Sequence, residues 1–250
     1  MTDLVNVTRT PSSVEIELNR PTKKNAITSA MYAAMADAVQ EAEADASVRS
    51  VLISGAGQAF SAGNDLQDFL SGMGDDNPPV LRFLQALAGS STPLIAAVQG
   101  PAVGIGATML LHCDYVVAAD DTVLQFPFVS MALVPEAASS LLLPRIVGYL
   151  RAADILLTGD NVDAERALEL GLVTRVVAAG EQVAAARAFA DRVAAQPPAA
   201  VRLTKHLLRD DTPGLDQRIG TELTLFKDRL QSPEFVEAVT AFMEKRPPRF

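Results

Sequence analysis

Val14-Glu15-Ile16-Glu17-Leu18 alternates apolar and polar side chains with a period of two, the pattern of a half-buried strand, and Asn19-Arg20-Pro21 ends it. The period then changes. Thr28 or Ser29 can cap a helix in which Met31, Met35, Val39 and Ala42 recur three or four residues apart on one face. Residues 51–54 form a short apolar run halted by Gly55-Ala56-Gly57, and residues 94–98, entered through Thr92-Pro93, form another. Gly100, Gly104 and Gly106 mark a turn, a helix is expected from there through Leu111, and a further strand near residues 115–118. Strands alternating with helices, with few hairpin signals, predict an α/β protein with parallel pairing.

Gln196-Pro197-Pro198 is a boundary, because consecutive prolines remove amide donors and push the preceding residue out of helix. It divides the chain into residues 1–196 and 197–250. Beyond it the strand signals stop. Leu215, Ile219, Leu223, Phe226 and Leu230 form one helical stripe, and Phe235, Val239 and Phe242 another, so the tail is an all-helical appendage whose apolar faces need a partner. That partner is either the main domain or another subunit. Asp75-Asp76-Asn77-Pro78-Pro79 reads as a polar, mobile loop.

Composition narrows the function. The 250 residues are 49% hydrophobic, enough for a large core, and a net charge of −9 repels phosphate backbones and anionic bilayers. Nucleic acid and membrane are therefore not expected partners, and an anionic ligand must meet a local basic patch. The one cysteine, Cys113, cannot close an intrachain disulfide and suits a reducing cytosol. Residues 1–10 carry Asp3 and lack the apolar core of a signal peptide, so a cytoplasmic location is expected.

Several catalytic readings fail on spacing. His112-Cys113-Asp114 places its groups on successive residues, which point in different directions on a helix, and packing at a helix end explains them better. His206 reads as a surface residue. There is no G-x-S-x-G elbow and no G-x-x-x-x-G-K-[ST] loop, and Phe60 occupies the place of the third glycine in a dinucleotide fingerprint. No acid and histidine cluster has metal-ligand spacing, so neither metal nor redox cofactor is expected.

Three segments remain. Phe60-Ser61-Ala62-Gly63-Asn64-Asp65-Leu66 and Pro101-Ala102-Val103-Gly104-Ile105-Gly106-Ala107 are glycine turns leading toward helices, where free amides can hold negative charge on an oxygen. Each can also be an ordinary turn, and Asp65 an ordinary helix cap. In the third, Glu136 lies between Pro135 and the small, apolar run Ala137-Ala138-Ser139-Ser140-Leu141. Apolar surroundings raise the proton affinity of a carboxylate and suit it to general-base work. A first-turn glutamate favouring the helix dipole is the alternative.

These segments together resemble the crotonase, or enoyl-CoA hydratase/isomerase, superfamily over nearly the whole chain. The resemblance rests on Leu18-Asn19-Arg20-Pro21 with Asn25-Ala26-Ile27, on Ala59-Phe60-Ser61-Ala62-Gly63-Asn64-Asp65-Leu66, and on Ala96-Ala97-Val98-Gln99-Gly100-Pro101-Ala102-Val103-Gly104. Cys113-Asp114, Leu157-Thr158-Gly159 and Ala167-Leu168-Glu169-Leu170-Gly171-Leu172-Val173 complete it. It implies a spiral of ββα turns, a helical C-terminal region used in oligomer and CoA contacts, a homotrimer or hexamer, and a fatty acyl-CoA substrate.

Enoyl-CoA hydratases carry two glutamates, and their places here are held by Thr108 and Phe128. The segment from Pro127-Phe128 to Pro135-Glu136 looks instead like the monofunctional Δ3,Δ2-enoyl-CoA isomerases, in which the glutamate after proline is the catalytic base. The resemblance thus implies Glu136 as base and the backbone N–H groups of Asn64 and Ile105 as oxyanion hole. It borders the substrate with Ser61, Ala62, Gly63, Asp65, Leu66 and Gly104. Lys23 and Lys24, with Lys245 and Arg246 in the tail, could meet the CoA phosphates. The alternatives are another crotonase-type reaction on a CoA thioester, such as hydration or hydrolysis, and a non-catalytic acyl-CoA-binding paralogue.

Overall fold

The computed structural model describes residues 3–71, 78–209 and 214–249. Its strands are β1 (Val5–Arg9), β2 (Ser13–Leu18), β3 (Ser50–Gly55), β4 (Leu94–Val98), β5 (Pro101–Val103), β6 (Tyr115–Ala119), β7 (Val123–Gln125), β8 (Val162–Asp163) and β9 (Arg175–Val177). One sheet has the order β1-β2-β3-β4-β6-β9 and a smaller one the order β5-β7-β8. From β2 to β9 the larger sheet is parallel.

β2, β3, β4 and β6 are each followed by a second extended segment, and these segments form a row of their own. Ile27 bridges Asn64, Ser61 bridges Ala102, and Pro101 pairs with Val123, all in parallel. In the larger sheet Val14 faces Val51, Val51 faces Leu94 and Ile95 faces Tyr115. Chain segments that leave one row therefore reappear in the other, and helices such as Ser29–Ala44 and Pro79–Gly89 carry the chain back to the next strand of the first row. This is the expected spiral of ββα turns, and it sets consecutive turns of the chain side by side.

The sheet is buried on both faces, which explains why β4 is apolar at every position rather than alternating. One face packs against the helix Ser29–Ala44, whose Met31, Met35, Val39 and Ala42 are buried as their spacing predicts. Thr28 caps that helix, accepting from the Met31 N–H. The other face, with Leu52, Ile95, Ala97 and Val117, is covered by Ala186 and Ala190 of the helix Gln182–Ala194. Each large aliphatic buried this way contributes about 1.5–3 kcal/mol. Among the described residues no helix is long and apolar enough to cross a membrane.

Several expectations need correction. Residues 101–111 are not one helix after a turn. Pro101–Val103 is a strand, Ile105–Thr108 a single helical turn, and Met109–His112 a 3-10 turn, because the segment is held extended by pairing with Ser61 and β7 before it can coil. Strand β1, which pairs antiparallel with β2, was not expected, and only its Val5 is buried. Thr10 closes the turn between them by accepting from the Ser13 N–H. In the tail, Ile219, Phe226, Leu230 and Phe235 join the main core, whereas Phe242 is 67% exposed and Ala238 and Ala241 take the buried face. The polar stretch expected to be a mobile loop lies, as far as Asn77, outside the described residues, and Pro79 begins a helix.

Candidate active site

The two glycine turns lie against each other because the spiral pairs them. The Ser61 carbonyl accepts from the Val103 N–H at 2.9 Å, and a Cβ on Gly63 would come within 2.9 Å of the Val103 carbonyl oxygen. Gly63 has a φ of +88° and Gly104 one of +55° with ψ −120°. A side chain disfavours both conformations, and at Gly104 it is the conformation alone that excludes one, since a Cβ there meets nothing within 4 Å. The twist at Gly104 starts the helical turn Ile105–Thr108. Among the described residues, neither the Asn64 N–H nor the Ile105 N–H has an acceptor. Two amides are thus left uncommitted on adjoining turns. The side chain of Asn64 is occupied elsewhere, its Oδ1 accepting from the Tyr32 hydroxyl at 2.5 Å.

Glu136 faces the same region from the other side. It is 8% exposed and borders a cavity of about 20 Å3 with Asn64, otherwise lined by Val80, Leu84, Ala137, Ile219, Leu223 and Phe226. That space has room for about one water beside the carboxyl. Thr108 Oγ1 donates to Glu136 Oε1 at 2.6 Å. The backbone is turned sharply after the glutamate: Ala137 and Ala138 are both left-handed, with φ of +58° and +55°. Such residues cost on the order of 1 kcal/mol each, and persist because their surroundings hold them. Here the Glu136 carbonyl accepts from both the N–H and the O–H of Ser139, at 3.0 and 2.6 Å, and the Ala137 carbonyl accepts from His112 Nε2 at 2.8 Å. The helix Ser139–Val147 starts immediately afterwards.

Burial pushes the Glu136 carboxyl up to about 8, the nearby Glu222 carboxyl adds to the rise, and the Thr108 hydrogen bond works against it. The Tyr32 phenol is raised well above its usual value by burial, then by the negative charges of Glu136 and Asp68. An acid poised near neutrality, in an apolar cavity beside uncommitted amides, can take a proton from carbon while the amides hold the charge left behind.

Glu136 and Asn64 therefore meet in one cavity, and Ile105 stands on the turn that adjoins Asn64. Ser61 and Gly63 are walls rather than donors: the Ser61 hydroxyl donates to the Asn25 carbonyl and accepts from the Gly63 N–H, and the Gly63 carbonyl accepts from the Ile27 N–H. Asp65 is committed to an ion pair with Arg20 at 2.7 Å and caps the helix Leu66–Ser71 through the Asp68 N–H, so it acts as the cap its position allowed. Lys23 and Lys24 are exposed beside the first turn, where the Lys24 carbonyl accepts from the Ala62 N–H. Arg246 is not a free cation, since its guanidinium forks onto Glu237.

His112 is buried and Cys113 half-buried, both packed at the end of the 3-10 turn as expected. Burial pulls the His112 imidazole down to about 4 and pushes the Cys113 thiol up to about 12. Asp114 turns away from both to accept from the Leu94 N–H and pair with Lys205 at 2.6 Å. His206 is exposed. Three residues of the site escape sequence reasoning. Thr108 stands out in the sequence only as the place of a missing glutamate. Tyr32 and Glu222 leave a signal of a kind, being polar groups within or beside an apolar helical stripe, where an interior hydroxyl or carboxyl must find a partner.

Comparison with known proteins agrees with this geometry. The enoyl-CoA hydratase/isomerase family model matches residues 9–250. An enoyl-CoA hydratase/isomerase from Pseudoalteromonas atlantica, known from a crystal structure, is 42% identical, with a TM-score of 0.96 over 99% of this chain and 100% of that one. The probable enoyl-CoA hydratase echA6 of Mycobacterium tuberculosis is 32% identical over 99% of both chains. The enoyl-CoA delta isomerase 2 of Rattus norvegicus is 35% identical over 96% of this chain and 63% of its own length. With its spiral, its paired glycine turns and a family match of this extent, the chain belongs to the enoyl-CoA hydratase/isomerase family.

Proposed function

We propose that the protein is a Δ3,Δ2-enoyl-CoA isomerase, moving the double bond of a fatty 3-enoyl-CoA to C2. The observation that carries this reading is that, among the described residues, Glu136 is the one carboxyl bordering the cavity beside Asn64, while Thr108 and Phe128 fill the places of the two hydratase glutamates. Hydration needs groups that position and activate a water, whereas a double-bond shift needs one base.

In the proposed reaction Glu136 removes a proton from C2, and the electron pair moves into the conjugated dienolate, its charge collecting on the thioester oxygen. The N–H groups of Asn64 and Ile105 bind that oxygen, each contributing roughly 3 kcal/mol to the transition state. Glu136 then returns the proton to C4, which leaves the double bond between C2 and C3. The Thr108 hydrogen bond favours the ionised carboxylate and keeps its oxygen aimed at the cavity. Lys23 and Lys24 would meet CoA phosphates at the rim.

The same reading includes a homotrimer or hexamer in the cytoplasm. Its support is the apolar surface on the tail helices, where Leu203, Leu207, Leu208 and Met243 are each at least 63% exposed.

Incubation with 3-enoyl-CoA and, separately, with 2-enoyl-CoA tests the reaction. Conversion of the first to the 2-enoyl isomer, without mass change, is the expected result. Addition of water to 2-enoyl-CoA at a higher kcat/KM would replace isomerase by hydratase, and release of free CoA would replace it by hydrolase. Binding without any conversion would leave a non-catalytic paralogue.

A further inference from the structure

Glu222 is a second buried carboxyl close to the proposed base, and neither the fold nor the proton shuttle accounts for it. It stands on the tail helix Leu215–Leu230, which also lays Ile219, Leu223 and Phe226 over the cavity, and it is 4% exposed. Its Oε1 accepts from both the N–H, at 3.0 Å, and the O–H of Ser140, four residues beyond Glu136. Its Oε2 is buried with no hydrogen bond of normal geometry, the Ala138 N–H lying near the carboxylate. A carboxylate at the start of the helix Ser139–Val147 favours the helix dipole, and a neutral acceptor would satisfy Ser140 equally well. The cost of keeping a charged group there, with one oxygen short of a full hydrogen bond, points to a use for the charge itself.

We infer that Glu222 is a positioning residue for the base: it anchors the turn that presents Glu136, and its buried charge acts on Glu136 across that turn. This rests on the reading of Glu136 as the proton shuttle. The groups that face Glu136 are Thr108 from the second glycine turn, Tyr32 from the helix Ser29–Ala44, and Glu222 from the tail, with His112 bound to the next carbonyl. Arg218, one turn earlier on the tail helix, faces Glu222 rather than Glu136. Tyr32 is raised and His112 lowered, so both are neutral near pH 7, and Glu222 is the neighbour whose charge can act on Glu136. Burial raises Glu222 as well, the Ser140 and Ala138 hydrogen bonds and the Arg218 charge oppose that rise, and the Glu222 charge in turn raises Glu136.

Glu222→Gln keeps an oxygen for Ser140 and removes the charge, so it separates anchoring from electrostatics. With carboxyl-labelled glutamate in the full chain, the Glu136 carbon resonance is identified by its loss in Glu136→Gln and titrated from pH 4 to 10. In Glu222→Gln its midpoint should fall by about half a pH unit or more. The acid limb of kcat/KM for 3-enoyl-CoA should move with it, KM should change less than about threefold, and Glu222→Asp should restore the wild-type limb. Should Glu222→Gln not fold, the reciprocal measurement serves: in Glu136→Gln the Glu222 midpoint must fall by a similar amount, because the coupling is mutual. A midpoint that stays within about 0.2 pH unit in the folded variant makes Glu222 a helix cap and overturns the inference. The titration is read without turnover. Failure of the isomerase assay with the carboxyls still coupled therefore removes the reaction alone, and uncoupled carboxyls with isomerisation intact remove the role of Glu222 alone.

Discussion

The cavity has two walls built on different terms. The wall of glycine turns offers backbone amides, set by parallel pairing between consecutive turns of the spiral: Ile27 with Asn64, Ser61 with Ala102. The wall opposite offers one side chain, Glu136, held by Thr108 from the second turn, by Ser139 on its own carbonyl and by His112 on the next. A donor made of backbone survives most side-chain changes at its own position and fails when the φ of a neighbour becomes inaccessible. A base made of side chain is the reverse, tolerant of backbone detail elsewhere and sensitive to each group that sets its protonation.

The largest effect should come from the side-chain wall. Glu136→Gln keeps size and polarity, removes the proposed base, and should lower the proposed isomerisation by at least about 10³-fold with little change in substrate affinity. It should also stabilise the protein at alkaline pH. The folded chain holds a proton on Glu136 that the unfolded chain has released between about pH 4.5 and 8, so wild-type stability falls as pH rises through that window. The gain in Tm for Glu136→Gln should therefore grow from pH 5 to pH 8, at about 2–4 °C per kcal/mol, as read by calorimetry.

Breaking the other wall needs a backbone change. Gly104→Ala meets no steric obstacle, only a φ of +55° and ψ of −120° that alanine avoids, so the chain should relax by rotating the peptide that carries the Ile105 N–H. Loss of one of the two proposed oxyanion donors should lower kcat by about 10²-fold. Unchanged kcat in a folded variant would place the oxyanion elsewhere.

Thr108→Val should act through Glu136 alone. Removing a hydrogen bond that favours the carboxylate raises its proton affinity, so kcat/KM at pH 7 should fall about tenfold and recover as the pH rises above about 9. In the wild type, kcat/KM should itself climb about tenfold per pH unit below pH 8 and level off above it. A pH-independent loss in Thr108→Val would mean that the hydroxyl touches substrate. The smallest effect belongs to Asn64→Ala. Its side chain bonds Tyr32 while its N–H faces the cavity region, so kcat should change less than about threefold, with about 1 kcal/mol of stability lost from the Tyr32 hydroxyl, measured by denaturant unfolding. A hundredfold loss of kcat there would erase the distinction between the two walls.

Both walls left marks in the amino-acid sequence, though not equally. Periodicity located β2, β3, β4, β6 and the helix Ser29–Ala44, since each buries a face or both faces in one core and so leaves a hydrophobic signature. The motifs around Asn64, Ile105 and Glu136 marked the family, because turn glycines and a carboxylate in an apolar run are local features. Strand β1, the short strands β5, β7, β8 and β9, and the break of residues 101–112 into three pieces were not legible. They are held by long-range pairing across few residues, which prints no period on the sequence. The same holds for the partners of the base. Thr108 is 28 residues from Glu136, while Glu222 is 82 residues from Ser140. Tyr32 is 32 residues from Asn64. The amino-acid sequence by itself determined which residue types and turns were available. Which hydroxyl meets which carboxyl, and which carboxyl shares a neighbour's charge, was decided only when the spiral stacked its turns and the tail helix closed over them, because hydrogen bonds and burial act over a few ångströms of space and not along the chain.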